Sequence, residues 1–384
     1  MRERGPPERL YLDFNATAPL CEAARAAVLD ALSATGNASS VHAEGRAARA
    51  RVESARRTVA ARLGARAEGV TFTSGGTEAN ATALAPGVRK GGTAAERLIV
   101  SAVEHPAVLS GGRFQPQDIA LVPVDADGVI DLAALDAALA ADPRPALVSV
   151  MAANNETGVL QPLAEIAALA GARGAIVHSD AVQAFGRVPD EALCADLLTL
   201  SGHKIGAPAG VGVLVRRGGV SVPPLVRGGG QERGARGGTE NVAAIAGFGA
   251  ALAGPAATPA AWAATRAARD AFETALATRL PRTIFFGRDA PRLPNTSLFA
   301  PGRTSAELSL IGLDLKGFAV SSGSACASGK VSESHVLRAM GVDAALARAA
   351  LRVSVGPEGA ELAFGRFLVA LTEVIVPMEQ HPIS

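Results

Sequence analysis

The stretch His178-Ser179-Asp180-Ala181-Val182-Gln183, with Ser201-Gly202-His203-Lys204 one predicted strand later, decides the reading of this chain. Each stretch closes an apolar run with polar residues, as strands of an open α/β sheet do where they meet a ligand. Outward from them, short β-branched runs alternate with alanine-rich helical stretches, the pattern of a mostly parallel sheet wrapped by helices. Strands are predicted over 70–73, 98–101, 119–124, 146–152, 175–179, 196–200 and 212–215. Helices are predicted over 43–63, 78–85, 132–140, 163–171 and 240–252. The pattern breaks at Gly254-Pro255, and after a long helix over 262–280 the elements shorten. The expected fold class is α/β, with a large domain over 15–255 and a smaller α+β domain made of 1–14 and 256–384.

A chain of 384 residues is ample for two such units. Its formal net charge of +1 gives no electrostatic reason to expect nucleic acid or an anionic membrane surface as partner. Arg46, Arg49, Arg51, Arg56 and Arg57 cluster at helical spacing among Ala and Glu, so they read as a solvated helix face. No run reads as a signal peptide or a membrane span, and a cytoplasmic protein is expected. Cys21, Cys194 and Cys326 are far apart and odd in number, which gives neither a disulfide framework nor a zinc cluster. Cys194 reads as a small buried hydrophobe.

Polar clusters recur where predicted strands end. Thr73-Ser74-Gly75-Gly76-Thr77-Glu78 follows one strand and opens a helix. Its glycines let the backbone approach an anion and Thr77 adds a hydroxyl, or else Thr77 simply caps the helix. His105 either stacks on a heteroaromatic ring or stands as a polar residue at a helix N-terminus. Asn154-Asn155-Glu156 offers hydrogen-bonding groups to a ligand or forms a turn. Asp180 ends a buried strand and needs a cationic partner. Lys204 is one of only four lysines among 37 basic residues, so its place just past a strand stands out against the arginine bias. A lysine and a carboxylate at neighbouring strand ends are what pyridoxal phosphate chemistry requires. The lysine forms the Schiff base and the carboxylate keeps the pyridine nitrogen protonated. Gln183 can reach the ring's phenolic oxygen, and Thr77, Ser201 and His203 make an anion cradle.

Further motifs extend the pattern: Tyr11-Leu12-Asp13-Phe14-Asn15-Ala16-Thr17, Gly36-Asn37-Ala38-Ser39-Ser40-Val41-His42 and Gly228-Gly229-Gly230-Gln231-Glu232-Arg233-Gly234. Near the end come Ser321-Ser322-Gly323-Ser324-Ala325-Cys326 and Ala350-Leu351-Arg352-Val353-Ser354. With them the chain resembles a cysteine desulfurase of the class V aminotransferase-like, fold-type I pyridoxal phosphate family, over nearly its whole length. The Ser-Ser-Gly-Ser-Ala-Cys run singles out the group with a long mobile cysteine loop, here about 321–331.

The resemblance implies pyridoxal 5'-phosphate on Lys204, which also removes the α-proton of L-cysteine. Asp180 would pair with the pyridine nitrogen, Gln183 with the phenolic oxygen, and His105 would stack on the ring and assist proton transfer. Gly76, Thr77, Ser201 and His203 would hold the phosphate, with Thr239 reaching in from the neighbouring subunit of a homodimer. Arg352 would pair with the substrate carboxylate beside Asn155. Cys326, flanked by small residues, would attack the substrate sulfur as thiolate and become a persulfide as L-alanine leaves. The sulfur would pass to an acceptor protein, for iron–sulfur cluster assembly or thiolation, and no metal is implied. An aminotransferase on this fold shares Lys204, Asp180 and Arg352 but has no use for Cys326. Selenocysteine lyase activity is the harder alternative to separate, since selenium departs more readily than sulfur, and a non-catalytic scaffold of this fold would be signalled by loss of the Lys or the Asp. Departures from the family pattern fall at Gly76, Ser179 and Gly206-Ala207-Pro208-Ala209, and none removes a catalytic group.

Overall fold

The computed structural model describes residues 9–323 and 333–380. Its larger sheet has seven strands: β1 (Val70–Thr73), β2 (Arg97–Ser101), β3 (Ile119–Val122), β4 (Ala146–Ser149), β5 (Ile176–Asp180), β6 (Leu197–Ser201) and β7 (Gly212–Arg216). They lie in the order β1-β7-β6-β5-β4-β2-β3. From β6 to β3 every pairing is parallel, and β7 alone runs antiparallel to its neighbours β1 and β6. Every residue of β1, β2, β4, β5 and β6 is buried. Where the sheet is parallel and covered on both faces, alternation disappears, and strands such as β2 and β4 read as nearly continuous apolar runs. The predicted strands all exist, with ends shifted by a few residues.

Around this sheet stand α1 (Glu22–Ser33), α2 (Ala43–Arg62), α3 (Gly76–Ala83), α4 (Leu132–Ala141), α5 (Leu163–Ala172) and α6 (Val242–Ala251). Helix α1 was absent from the sequence reading. It buries Ala24 and Ala31 while Leu29 and Leu32 are 61% and 67% exposed, so its large apolar residues mark the wrong face. The solvated-face reading of the α2 arginines fails at Arg56. This residue is buried and donates from Nη1 and Nη2 to Glu232 at 2.7 and 2.9 Å, and from Nη1 to the Val70 carbonyl at 2.6 Å. Its partner lies 176 residues away, beyond any helical spacing rule. Cys194 is half-buried in a loop, with Sγ 3.1 Å from the Glu191 carbonyl, rather than a core residue.

A second, wholly antiparallel sheet holds β8 (Ile284–Phe285), β9 (Thr296–Ala300), β10 (Ser321–Ser322) and β11 (Leu351–Ser354) in the order β8-β9-β11-β10. With it go α7 (Ala263–Arg279), α8 (Ala306–Leu315), α9 (His335–Ala339) and α10 (Ala360–Gln380). Its core is aromatic and separate from that of the large sheet, with Phe272 and Phe364 stacked at 4.9 Å. The N-terminal segment joins this layer: Leu10–Tyr11 pairs with Phe318–Ala319, and Phe14 N–H bonds the Ser354 carbonyl. Asn15 is thereby set between the two sheets. Among the described residues no helix is long and apolar enough to cross a membrane.

Candidate active site

A cavity of about 540 Å³ opens beyond the carboxyl ends of the large sheet's parallel strands, with the second sheet as its far wall. It brings together ten of the residues singled out from sequence: Gly76, Thr77, His105, Asn155, Asp180, Gln183, Ser201, His203, Lys204 and Arg352. Thr239 lies elsewhere, in a separate pocket with Ser74 and Arg236. Cys326 and most of the cysteine loop lie outside the described residues, although Ser321 and Ser322 before them line the cavity wall.

Asp180 ends β5 almost fully buried. Its Oδ2 accepts from Asn80 Nδ2 at 2.7 Å and its Oδ1 from the Val182 N–H at 3.0 Å. Burial pushes its carboxyl upward, and among the described residues no cation lies within ion-pair distance of it. A carboxylate in this position is stabilised by a positive group placed in the cavity. Lys204 follows the turn after β6. Its Nζ donates to the carbonyls of Asn15 and Ala16 at 2.6 and 2.8 Å. Burial, and then the nearby Arg187 and Arg352, lower its pKa to about 7, so much of the amine is neutral and nucleophilic at physiological pH.

Helix α3 begins at Gly76 with Gly75 as its cap, so the alternative in which Thr77 caps the helix does not hold. Thr77 sits in the first turn, where backbone N–H groups lack intrahelical partners. A Cβ at Gly76 would come within 3.0 Å of Val182 Cγ2 and 3.4 Å of Ser201 Cβ, so glycine keeps this end of the cavity open. His105 meets both of its readings. It caps the short helix Pro106–Leu109 by accepting from the Ala107 N–H at Nδ1, 3.1 Å away, and its ring lines the cavity. Burial lowers the pKa of His105, and takes that of His203 down to about 4, so both rings are neutral.

The two asparagines divide their readings. Asn154 makes the turn, its Oδ1 accepting from the N–H groups of Glu156 and Thr157, while Asn155 faces the cavity. Arg352 projects from β11 with Nη1 on the Asn155 carbonyl at 2.9 Å and Nη2 on Asp13 Oδ1 at 2.7 Å. Asp13 was quoted as part of a motif but given no role. It holds the guanidinium across the cavity, and the buried Nε has no partner among the described residues.

Glu156 was also missed. It is buried, and its Oε2 accepts from Ser334 Oγ at 2.5 Å; Ser334 in turn caps α9 by accepting from the Leu337 N–H. Burial raises the Glu156 carboxyl from 4.5 to about 7. Between those values the folded chain binds the proton that the unfolded chain has released. This contribution is therefore full below about pH 4.5 and lost as pH rises through 7. Glu156→Gln, neutral at every pH, is expected to flatten that part of the stability profile, a difference of roughly 3 kcal/mol at most. Thermal melts of both proteins from pH 5 to 8 check it; parallel profiles would refute it.

Two sheets around one cavity, a half-buried lysine and a buried carboxylate on its wall, and an arginine opposite them together define a class of enzyme. The chain belongs to the aminotransferase class-V family, whose pattern it matches over residues 10–360. A cysteine desulfurase of Cereibacter sphaeroides is 42% identical over 376 residues, covering 96% of each chain. The solved structure of a NifS-like protein from Rickettsia africae superposes with a TM-score of 0.86 at 34% identity, covering 96% of this chain and 99% of that one. SspA, solved in complex with cysteine, matches with a TM-score of 0.74 at 29% identity, covering 90% of this chain and 99% of that one. Within its family the chain falls among the cysteine desulfurases.

Proposed function

We propose that this desulfurase works with pyridoxal 5'-phosphate on Lys204, takes L-cysteine as substrate and moves its sulfur to Cys326. The observation that carries the reading is Asp180, a buried carboxylate with no cation within ion-pair distance among the described residues, facing the same cavity as a half-buried lysine of lowered pKa. A protonated pyridine nitrogen would be that cation. Gln183 gives one N–H to the Asn15 carbonyl and keeps a second for a phenolic oxygen. Gly76, Thr77, Ser201 and His203 surround the end where a phosphate would lie, and Thr239 of a second copy would complete it in a homodimer. SspA with cysteine bound supports L-cysteine as the substrate.

When bound, the cofactor supplies an electron sink for the pair left by the substrate's Cα–H bond. Lys204 would take that proton and return it, with His105 on the same cavity wall to assist. Arg352 and Asn155 hold the substrate carboxylate, which requires Arg352 to exchange the Asn155 carbonyl for the ligand. The Cys326 thiolate attacks the substrate sulfur. An S–S bond forms as the C–S bond breaks, and the carbon fragment keeps the electron pair, gains a proton and leaves as L-alanine. A thiol and cysteine thus become a persulfide and alanine with no external redox partner. The persulfide then serves an acceptor protein of the cytoplasm, for iron–sulfur assembly or thiolation.

Incubation with L-cysteine without acceptor, followed by weighing of the Cys326 peptide, tests this. One added sulfur and an equal amount of alanine are expected. Alanine with an unmodified peptide would remove the persulfide role, and a keto acid in place of alanine would favour the aminotransferase reading.

A further inference from the structure

Arg187 is 3% exposed, and among the described residues no carboxylate lies within ion-pair distance of it. A buried cation without an anion is costly unless it is placed for a purpose. Its Nη1 donates to Gln183 Oε1 at 2.7 Å and to Asn15 Oδ1 at 2.8 Å. Its Nη2 reaches the Lys204 carbonyl at 3.4 Å, and its guanidinium lies 5.6 Å from the centre of the Trp262 ring. A guanidinium only donates, so it admits the oxygen of each carboxamide and excludes the nitrogen. Gln183 must then turn Nε2 the other way, where one N–H meets the Asn15 carbonyl at 2.9 Å and the other is left for the cavity. The Asn15 carbonyl also accepts from Lys204 Nζ, and the Asn15 side chain ties Asn155 and Thr296 to the same point. One guanidinium therefore fixes the hub against which the lysine rests.

We propose that Arg187 is a positioning residue for the desulfurase reaction, orienting Gln183 as a hydrogen-bond donor toward the cavity and holding a fixed positive charge behind Lys204. The proposal rests on the reading of Lys204 and Gln183 given above. Its electrostatic half is visible in the surroundings of Lys204. The cations Arg187 and Arg352 disfavour protonation of the amine, the carboxylates Asp13 and Asp180 favour it, and His105 and His203 are neutral neighbours. After burial, Arg187 is the largest influence lowering the lysine, so its removal moves protonation to higher pH.

The test is a titration of the visible absorbance of cofactor-loaded enzyme, which reports protonation at the Lys204 nitrogen, in wild type, Arg187→Lys, Arg187→Gln and Arg187→Met. Arg187→Lys keeps charge and donors and is expected to hold the midpoint. Arg187→Gln keeps donors without charge, and its midpoint is expected to rise by about one pH unit. Arg187→Met loses both, with the same rise and a drop of about tenfold or more in kcat. A purely structural role would lower thermal stability in these variants without moving the midpoint. If Arg187→Met does not fold, Arg187→Gln decides alone, and a midpoint equal to wild type overturns the proposal. A wild-type enzyme with no visible band would instead overturn the Lys204 reading and this proposal with it, a result separable from an unmoved midpoint.

Discussion

Lys204→Ala is expected to lower sulfide release from L-cysteine by at least about a thousandfold, within the range that loss of a positioned acid–base group or nucleophile spans. One atom, Nζ, is assigned both cofactor attachment and proton transfer at Cα, and no neighbour can take over the attachment. His105 and His203 are held neutral and an imidazole can move a proton, but it cannot form the Schiff base. Arg187 and Arg352 are cations without a usable lone pair, and Lys204→Arg is expected to be as inactive as Lys204→Ala. The same environment fixes a pH signature in cofactor-free protein. Only the neutral amine attacks an aldehyde, so the rate of cofactor attachment to wild type should rise through about pH 7, where burial and the two arginines place the lysine, and level off about two units higher. Stopped-flow absorbance measures it. Sulfide release by Lys204→Ala within tenfold of wild type, or an attachment rate that climbs only near the ordinary lysine range, would refute the assignment.

What could be read from sequence was what leaves a local trace. Fully buried parallel strands such as Ala146–Ser149 are nearly continuous apolar runs, and polar residues gathered where such strands end are conspicuous. Asp180 and Ser201 stood out at strand ends, and Lys204 as a rare lysine just past one. The supporting groups left no such trace. Asn15 and Arg187 meet across 172 residues, Arg56 and Glu232 across 176, and nothing in either local pattern points to the other. Glu156 is buried, and its hydrogen-bond partner Ser334 comes from 178 residues away, so nothing local points to it. Helix α1 was lost for the opposite reason: Ala24 and Ala31 face inward while Leu29 and Leu32 face out, so local apolar pattern and burial disagree. Cap geometry settled what composition left open, placing Gly75 rather than Thr77 at the start of α3 and separating the turn-forming Asn154 from the cavity-facing Asn155.

Cys326→Ala is expected to abolish sulfide release, a loss of at least about a hundredfold, while the visible spectrum of the cofactor-loaded enzyme stays unchanged. The contrast with Lys204→Ala follows from where each residue acts. Apart from Thr239, the groups assigned to cofactor and substrate lie on the cavity wall and need nothing from Cys326, so proton removal at Cα should survive its loss. In deuterated water the variant should still exchange the Cα hydrogen of L-cysteine at close to the wild-type rate. Neither of the other thiols can substitute, because Cys21 and Cys194 do not line the cavity, and Cys194 Sγ is occupied by the Glu191 carbonyl. In sequence Cys326 follows close on the cavity wall: Gly323, whose N–H bonds the Ala350 carbonyl next to Ser321 and Ser322, is three residues before it. Serine should fail as alanine does, since a hydroxyl at neutral pH offers neither the thiolate's nucleophilicity nor a sulfur to carry a persulfide. Sulfide release by Cys326→Ala at the wild-type rate would move the sulfur-accepting step to another group, and loss of Cα exchange in that variant would mean that the cysteine acts before the sulfur step.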